Sequence, residues 1–388
     1  MRLLHIHSGN LYGGVETLLT TLARHRDLFP ALESHFALCF EGRLTDELQL
    51  AGAAVHPLAR TRVSQPLTVM RARRVLKELL RREHFDLAVC HSSWSQALFA
   101  PVVRAAHLPL VYWLHNPTNG KHWLDRWAGK TVPDLVLCNS ELTGATAANL
   151  YPQIRSEVVY CPVAPPSRSY SRNDRALTRV ELQTALDAVV IIQASRMEEW
   201  KGQALQLEAL GELKDEPGWV CWQAGGAQRP SELQYLNRLK KKVEQLGIAD
   251  RVRFLGQRTD VEQLLAAADI YCQPNTDPEP FGIAFIEALY AGLPVVTTEI
   301  GGAREIIDAS CGVLVRPRDK DALAHSLRSL IRNQIGRVRL GTNGPVRARK
   351  LCDVKTQIER LHECFAEVVS ANSRQVGLVR DSERRVPA

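Results

Sequence analysis

The sequence lacks the features that mark secreted and membrane-spanning proteins. It has no Cys-x-x-Cys pair, and no apolar stretch reaches the roughly 18 residues that cross a bilayer. No signal-peptide core precedes the first strand-like segment, which starts at Arg2. The nine cysteines are scattered over strand-like runs, so we expect buried free thiols in a reducing compartment rather than a disulfide framework. These absences favour a cytoplasmic protein.

The composition is that of a soluble globular protein with two domains. The 388 residues exceed what one ordinary core serves, and 45% of them are apolar while 23% are charged. The formal net charge of +7 indicates affinity for an anion such as a phosphate or an acidic lipid. The sequence has no basic stripe with interleaved aromatic residues, which argues against nucleic acid as the partner.

Short apolar runs alternate with helical segments in both halves of the chain. Such strands are typical of parallel sheets that helices cover on both faces. We therefore predict an α/β protein with two Rossmann-like, doubly wound parallel-sheet domains facing a cleft, with ligands at the carboxyl ends of the strands. The predicted parts are a first domain (1–165), a linker rich in Pro and Ser (166–186), a second domain (187–350), a helix that packs back on the first domain (351–372) and a disordered tail (373–388).

Two carboxylates stand in unusual places in the apolar stretch 278–296. Glu279 lies in a Pro-flanked turn, and Glu287 lies about two turns into the helix that follows, which Gly292 and Pro294 end. A buried acid without a partner is costly, so a polar ligand is expected there. A carboxylate can accept two neighbouring hydroxyl groups, which a ribose or a hexose supplies. The alternative is a core glutamate paired with a buried Arg or Lys.

Two cations follow a predicted strand in the second half. Arg196 stands at its carboxyl end, and Lys201 opens the next helix together with Gly202. The pair suits a diphosphate, because Arg binds as a fork and Lys as a point charge. The alternative is a solvated pair that Glu198 and Glu199 neutralise.

A glycine pair, Gly13 and Gly14, separates the first strand from the first helix. Its backbone N–H groups can approach an anion at the helix N-terminus. The alternative is a tight turn, with Glu16 as an ordinary first-turn acid. Because the segment is not a Gly-x-Gly-x-x-Gly motif, a dinucleotide-dependent oxidoreductase is disfavoured.

The sequence gives no metal site. The one Asp-x-Asp pattern, Asp319 to Asp321, is interpreted as a helix N-cap followed by a first-turn acid. His5 and His7 share one face of the first strand. Without a nearby Cys or acid ligand, they are interpreted as core or cleft-lining residues.

These motifs together resemble the retaining glycosyltransferases of family 4, which have the GT-B fold. The resemblance rests on the Glu-x7-Glu spacing with its neighbours "PFG", "AGLPVV" and "GGAREII", and on "GGVE", "SR…KG", "AGG", "GVLVRPRD" and the strand-end His115. It covers most of the chain and is more specific in the C-terminal half.

The resemblance implies a role for each matching residue of the second domain. Glu287 would hold the nucleotide ribose, and Glu279 would meet hydroxyl groups of the donor sugar. Arg196 and Lys201 would neutralise the leaving diphosphate. The backbone of residues 281–283 (Phe281, Gly282 and Ile283) would contact sugar or phosphate.

Two further positions are implied in the first domain. Gly13 and Gly14 would approach the phosphates, and His115 would touch the donor sugar near the reacting carbon. On this resemblance the first domain is the acceptor side and the second binds the donor.

The implied activity is that of a hexosyltransferase. A nucleoside-diphosphate sugar, a substrate and not a cofactor, would give its sugar to a hydroxyl group of a glycan or lipid-linked acceptor, as in polysaccharide or lipopolysaccharide biosynthesis. Charge stabilisation and positioning would lower the barrier without a metal, by front-face transfer that retains the anomeric configuration. Two alternatives stay open: a GT-B epimerase or phosphorylase-like enzyme, and a non-catalytic sugar-nucleotide-binding protein.

The segment 70–84 predicts a basic helix whose apolar side carries Val75, Leu76, Leu79 and Leu80. It would either lie against the inner face of an anionic membrane, as in a peripheral protein, or be a surface helix whose apolar side belongs to the core. Downstream, an aromatic wall for the acceptor is suggested by Trp113, Trp123 and Trp127, with Lys121 and His122 beside them.

Overall fold

The computed structural model describes residues 1–9 and 11–383, with side chains described as far as residue 374. The chain forms two compact units. The first comprises Met1–Pro162 together with the C-terminal segment that begins at Val354, and the second comprises Val163–Asp353. Within residues 1–9 and 11–383, no helix is both long enough and apolar enough to cross a membrane.

The first unit is built on one fully parallel sheet. Its strands are β1 (Arg2–His7), β2 (Glu33–Leu38), β3 (Ala54–Pro57), β4 (Leu87–His91), β5 (Leu110–Leu114), β6 (Leu135–Cys138) and β7 (Ser156–Val158). Their order across the sheet is β3-β2-β1-β4-β5-β6-β7. Strand β3 carries no signal in the sequence, because this edge strand is short, half-exposed and ends in Pro57.

Helices cover both faces of this sheet, as its continuous apolar strands require. They are α1 (Gly14–Arg24), α2 (Arg43–Leu50), α3 (Pro66–Arg82), α4 (Ser92–Ala105), α5 (Trp123–Ala128) and α6 (Glu141–Ala147), with a short 3-10 helix at Arg26–Leu28. Leu4 and Ile6 of β1 pack with α3 and α4 in one cluster, whereas Phe36 of β2 packs with α1 in another.

The second unit also contains one fully parallel sheet. Its strands are β8 (Val189–Ala194), β9 (Trp219–Ala224), β10 (Val252–Gly256), β11 (Ile270–Gln273), β12 (Val295–Thr298) and β13 (Gly312–Val315). The order is β10-β9-β8-β11-β12-β13, which reverses direction at β8. The prediction of two doubly wound parallel-sheet units is confirmed.

Eight helices accompany this sheet. They are α7 (Arg172–Glu181), α8 (Gln203–Gly211), α9 (Pro230–Gln245), α10 (Val261–Ala267), α11 (Ile283–Tyr290), α12 (Ala303–Ile306), α13 (Lys320–Arg332) and α14 (Gln334–Cys352), with 3-10 helices at Glu199–Lys201 and Ala249–Arg251. Asp319 caps α13 by accepting a hydrogen bond from the Ala322 amide at 2.9 Å, and Asp321 lies in its first turn, so that interpretation is confirmed.

Helix α7 lies inside the segment 166–186 that the sequence analysis took for a linker. The buried Arg179 pairs with Asp269 at 2.6 Å, and Arg175 pairs with the other carboxylate oxygen at 2.5 Å. Arg179 also donates to the backbone oxygens of Ala188 and Leu186, at 2.8 Å each. These bonds attach α7 to the second unit. From the sequence, the arginines of this segment looked like solvent-exposed linker charges, but Arg175 and Arg179 pair with Asp269.

The C-terminal helix, α15 (Val354–Glu383), belongs to the first unit. Leu361 and Phe365 are buried, and Arg155 pairs with Glu367 at 2.5 Å. The helix continues through 373–383, where the sequence analysis predicted a disordered tail. That stretch contains no proline to interrupt the backbone hydrogen bonds. Residues 384–388 of the predicted tail lie outside the described residues.

All nine cysteines are free and buried, as predicted. Burial raises the pKa of several of these thiols, that of Cys161 to about 12 for example, which keeps them protonated at neutral pH.

Candidate functional site

The candidate donor residues of the second unit follow the carboxyl ends of neighbouring strands. Arg196 and Lys201 come after β8, and Glu279 comes after β11, which pairs with β8 in the middle of the sheet. Because parallel strands end at the same edge, these side chains gather where the strand order reverses.

Lys201 and Glu279 form a direct, largely buried ion pair. The ammonium nitrogen donates to Glu279 Oε2 at 2.5 Å, and the side chains are 15% and 9% exposed. The same oxygen accepts from Gln273 Nε2 and from Asn275 Nδ2, each at 3.2 Å. Glu279 is therefore the carboxylate with an internal partner, in the position where the sequence predicted contacts with sugar hydroxyls.

Two glycines let the backbone approach closely around this pair. Gly202 has a φ of +75°, and a Cβ there would lie 1.9 Å from the backbone oxygen of Pro274. Gly301 has a φ of +66°, and a Cβ there would lie 2.5 Å from the backbone nitrogen of Glu279. Both positions therefore require glycine, which explains the "KG" and "GG" motifs by packing around the ion pair.

Arg196 is held by carboxylates but remains partly accessible. Its guanidinium lies 3.0 Å from Glu198 and 3.9 Å from Glu232, and its side chain is 29% exposed. Glu199, the other partner that the sequence analysis considered, pairs with Arg238 instead. The guanidinium therefore keeps accessible surface through which it can contact an anion.

Helix α11 begins beside these charges. Gly282 is its N-cap with a φ of +110°, and the helix runs from Ile283 to Tyr290. The first N–H groups of any helix have no acceptor inside the helix, so this end favours an anion. Phe281 is buried before it, whereas Gly282 and Ile283 are half-buried.

The Glu287 carboxylate has no partner among the described residues. It lies half-buried on α11, and its side chain makes no hydrogen bond or ion pair with the residues the structure describes. The alternative of a core glutamate paired with Arg or Lys therefore does not apply to it. Burial, helped by the charge of Glu262, raises the pKa of Glu287 to about 7.

This raised pKa makes a prediction about stability. Between pH 4.5 and 7 the unfolded chain loses the Glu287 proton while the folded protein keeps it, so stability falls as the pH rises. We expect Glu287→Gln to remove this contribution. Urea unfolding from pH 5 to 8 should show the wild type losing about 1–3 kcal/mol relative to the variant. Parallel pH profiles of the two proteins would contradict the assignment.

In the first unit, His115 follows β5 and is buried. Its Nε2 lies 3.0 Å from His91 Nδ1, and its backbone oxygen accepts from Asn139 at 3.2 Å. Burial, with a smaller effect from His7, lowers the pKa of His115 to about 3, so the imidazole is neutral at pH 7. Trp113 is fully buried against this imidazole, which removes it from the predicted acceptor wall, whereas Trp123 is half exposed.

The glycine pair lies where β1 passes into α1. Gly14 is the first helical residue, and the amide of Gly13 donates to Glu16 Oε2 at 2.9 Å. The other oxygen, Oε1, accepts from His7 Nε2 at 2.7 Å. Glu16 is therefore more than a first-turn acid, because it joins the end of β1 to the glycine loop.

Sequence reasoning missed the residues that hold these candidates in place. Asn275 and Gln273 orient Glu279, Glu232 faces Arg196, and His91 faces His115. Gln273 and His91 each end a strand and Asn275 follows one, whereas Glu232 lies in the first turn of α9 and had no such signal. Among residues 1–9 and 11–374, no group of three or more His, Cys, Asp or Glu could hold a metal ion.

Comparison with known families matches both units. The model for "Glycosyltransferase Family 4" matches residues 12–165, and that for "Glycosyl transferases group 1" matches residues 174–347. A phosphatidyl-myo-inositol mannosyltransferase of Mycobacterium tuberculosis is 27% identical over 312 residues, 76% of this chain and 77% of that protein. A D-inositol 3-phosphate glycosyltransferase of Corynebacterium jeikeium is 32% identical over 55% of this chain and 53% of that protein.

Some matches to curated relatives are shorter. The same kind of mannosyltransferase from Mycobacterium leprae is 38% identical over 31% of this chain, and the match spans 33% of that protein. For five such relatives, including the proteins from Mycobacterium leprae and Corynebacterium jeikeium, the matched part of the chain spans from 33% to 53% of the relative's own length.

Solved structures resemble the whole chain. HepE from Anabaena in complex with UDP-glucose has a TM-score of 0.84 at 25% identity, over 95% of this chain and 100% of that one. Its complex with UDP and glucose gives 0.82 at 26% identity, over 94% of this chain and 99% of that one. WaaG, a glycosyltransferase involved in lipopolysaccharide biosynthesis, shares the fold at 18% identity, with a TM-score of 0.68 over 94% of this chain and 99% of that one.

Proposed function

Since this chain belongs to the family 4 glycosyltransferases, we propose that it transfers a hexose from a nucleoside-diphosphate sugar to a hydroxyl group of a glycan or lipid-linked acceptor. The observation that carries the proposal is the buried contact between Lys201 and Glu279 at the carboxyl edge of the second sheet. A cation and an acid in contact there can meet the two halves of such a donor, its diphosphate and its sugar.

Similar proteins support both the donor and the acceptor class. HepE binds UDP and UDP-glucose in its crystals, so UDP-glucose is the first donor to test. The relatives named above act on inositol lipids and inositol phosphates, and another, LpsE of Rhizobium meliloti, acts in lipopolysaccharide core biosynthesis. The inositol compounds in the names of the first two relatives carry ring hydroxyl groups, which is the kind of acceptor group proposed here.

Each donor-side residue has a part in the proposed reaction. Arg196 and Lys201 offset the charge that develops on the leaving diphosphate, and the N-terminus of α11 adds its dipole. The carboxylate of Glu287 has no partner within the described chain, so it is free to accept hydrogen bonds from the ribose hydroxyls. It must be ionised to accept both, and binding would therefore lower its pKa.

We propose that the anomeric configuration is retained without a covalent sugar–enzyme intermediate. Glu279 Oε2 already accepts three hydrogen bonds, one of them from an ammonium group. These bonds hold its charge and make it a poor nucleophile. Front-face transfer remains, in which the acceptor hydroxyl bonds to the anomeric carbon, the bond to the diphosphate breaks, and a leaving phosphate oxygen takes the proton.

The test is direct titration followed by product analysis. We expect the full chain to bind UDP and UDP-glucose in calorimetry and to melt at a higher temperature in their presence. Incubation with UDP-glucose and candidate acceptors should release UDP and form an α-linked product, identified by NMR. No heat and no melting shift with UDP-, GDP- or ADP-sugars would refute the proposal.

The same experiment separates the two alternatives. A GT-B epimerase or phosphorylase-like enzyme would change the sugar nucleotide with only water or phosphate present. A non-catalytic binding protein would show binding heat but no turnover with any acceptor tested. Either result would replace the proposed transfer.

We also propose that α3 brings the protein to an anionic membrane. Leu76 of α3 is buried, and Val75 and Leu79 pack on the core cluster, so that side is an ordinary core face. On the other side Leu67 and Met70 are 79% and 66% exposed, next to exposed arginines at 71 and 74. Exposed apolar residues beside cations are typical of interfacial helices.

Vesicle binding tests this contact. We expect the protein to sediment with vesicles rich in phosphatidylglycerol but not with phosphatidylcholine vesicles, and 0.5 M salt should weaken the binding. Arg71→Glu with Arg74→Glu should lower the bound fraction at least about tenfold, since each cation near the surface contributes about 1 kcal/mol. Charge reversal at Lys240 and Lys241 in the second unit is the control. If the control variant lost as much vesicle binding as the variant with Arg71 and Arg74 reversed, a specific role for α3 would be contradicted.

A further inference from the structure

Three histidines form a continuous line across neighbouring strands of the first unit. His5 of β1 lies beside His91 of β4, with 3.0 Å between His5 Nδ1 and His91 Nε2. His91 Nδ1 then lies 3.0 Å from Nε2 of His115, which follows β5. We name these three residues the histidine chain. Both nitrogens of His91 are used within it.

Packing holds the rings of the chain in place. His5, His91 and His115 are 1%, 0% and 5% exposed. His91 stacks on His115 at a ring distance of 5.3 Å with 13° between the planes, and His5 stacks on Phe36, also at 5.3 Å. His91 also stacks on Trp113 at a ring distance of 5.3 Å, and contacts with two rings oppose the rotation that would exchange its nitrogens. The pairing of particular nitrogens is therefore a lasting feature of the fold.

The chain restricts how each ring carries its proton. A neutral imidazole has one N–H, so each contact needs one donor and one acceptor. If His5 Nδ1 donates to His91 Nε2, then His91 Nδ1 donates to His115 Nε2, and His115 carries its proton on Nδ1. The opposite arrangement reverses every bond and leaves a lone pair on His115 Nδ1. The tautomer at one end thus determines the tautomer at the other.

The surroundings of His5 favour the first arrangement. His5 Nε2 is buried and has no hydrogen-bond partner among the described residues. The His5 side chain also lines a cavity of about 20 Å³, together with Arg26 and the apolar side chains of Leu361 and Phe365. A buried donor without an acceptor is rarer than a buried lone pair. His5 then carries its proton on Nδ1.

We propose that His91 and His5 are positioning residues that fix His115 with its proton on Nδ1 and direct that N–H toward the substrate. Because Nε2 of His115 is taken by His91, Nδ1 is the nitrogen left for a ligand. This inference rests on the proposed function, in which His115 meets the donor sugar. His115 then acts as a neutral hydrogen-bond donor to a sugar oxygen, and not as a base or a cation.

The first test reads the tautomers without any substrate. In 15N-labelled full-length protein, long-range proton–nitrogen spectra should show His115 protonated on Nδ1 in the wild type. His5→Phe keeps the stack on Phe36 but removes the donor to His91, so His115 should shift toward a mixture of tautomers. His56→Phe is the control, because His56 pairs with His35 outside the chain. Unchanged His115 resonances in the His5 variant would overturn the proposal.

The second test removes the two hydrogen bonds of His91 one at a time. Asparagine places its amide nitrogen near the histidine Nδ1 position, so His91→Asn keeps the donor to His115. Glutamine reaches the Nε2 position instead, so His91→Gln keeps the contact with His5 and loses the one with His115. We expect His91→Gln to lower kcat for UDP-glucose by about tenfold or more at unchanged KM, and His91→Asn to keep most of it.

The two tests fail in different ways. If the protein turned over no sugar nucleotide but showed the predicted tautomer shift, the proposed function would be wrong. The coupling of tautomers along the histidine chain would still be supported. If both His91 variants fell equally in kcat, with melting temperatures that match the wild type, the positioning role would be wrong. If both His91 variants showed the same rise in KM and the same fall in melting temperature, His91 would have only a structural role. That result would overturn the proposal.

Discussion

Replacing Lys201 with methionine is expected to weaken UDP binding by about 100-fold and to lower turnover of the sugar nucleotide by about a thousandfold. Methionine keeps much of the apolar length of the side chain but removes the charge that we propose faces the diphosphate. A charge-assisted hydrogen bond contributes about 1.5–3 kcal/mol, and the loss of one preorganised donor costs about a hundredfold to a thousandfold in rate. Calorimetry with UDP and release of UDP from UDP-glucose measure the two effects.

A matched control comes from the same unit. Lys242→Met removes a charge that pairs with Glu208 on partly exposed helix surfaces, so its effect on both measurements should stay within about twofold. Full activity of the Lys201 variant would count against Lys201 as the residue that meets the leaving group. Equal loss in both variants would point to general destabilisation of the unit.

Replacing Glu279 with alanine is expected to lower the free energy of unfolding by about 3–5 kcal/mol, which is a large part of a typical domain's stability. The variant leaves the buried Lys201 ammonium without its partner, and the side-chain amides of Gln273 and Asn275 lose their acceptor. Urea unfolding at pH 7 measures the change. Glu279→Gln should cost less, since its amide oxygen can still accept hydrogen bonds.

The double variant separates stability from chemistry. Combining Lys201→Met with Glu279→Gln removes both charges, so neither is left buried alone. We expect its stability to exceed that of Glu279→Ala by at least about 2 kcal/mol, while its turnover stays as low as that of Lys201→Met. A double variant as unstable as Glu279→Ala would show that the ion pair is not the source of the cost.

Much of the fold was predictable because parallel strands buried on both faces carry a strong local signal. Runs such as "LVYWL" and "VVIIQA" became β5 and β8, since no other element buries so many consecutive apolar residues. The short edge strand β3 has no such run. Helix α7 was not predicted for a different reason. Its buried Arg179 pairs with Asp269, which lies 90 residues away in the sequence. Such pairing is a property of the tertiary structure.

The candidate site was predictable as a set of residue types but not as a set of contacts. The spacing of Glu279 and Glu287 indicated two carboxylates near a ligand. It could not show that Lys201 pairs with Glu279 while Glu287 has no partner in the described part of the chain. The histidine chain is a clearer case. His5 and His91 meet only because β1 and β4 are neighbours in this register, which depends on strand order.

The first unit is discontinuous along the chain, and this affects its biosynthesis. A ribosome delivers Met1–Pro162 first, then the whole second unit, and only at the end the helix whose Ile358, Leu361 and Phe365 line the cavity beside His5. Until then the apolar residues that meet this helix have no cover. The first unit is therefore incomplete while the second unit is being synthesised, and its exposed apolar surface is prone to aggregation. This risk lasts until the C-terminal helix has been translated.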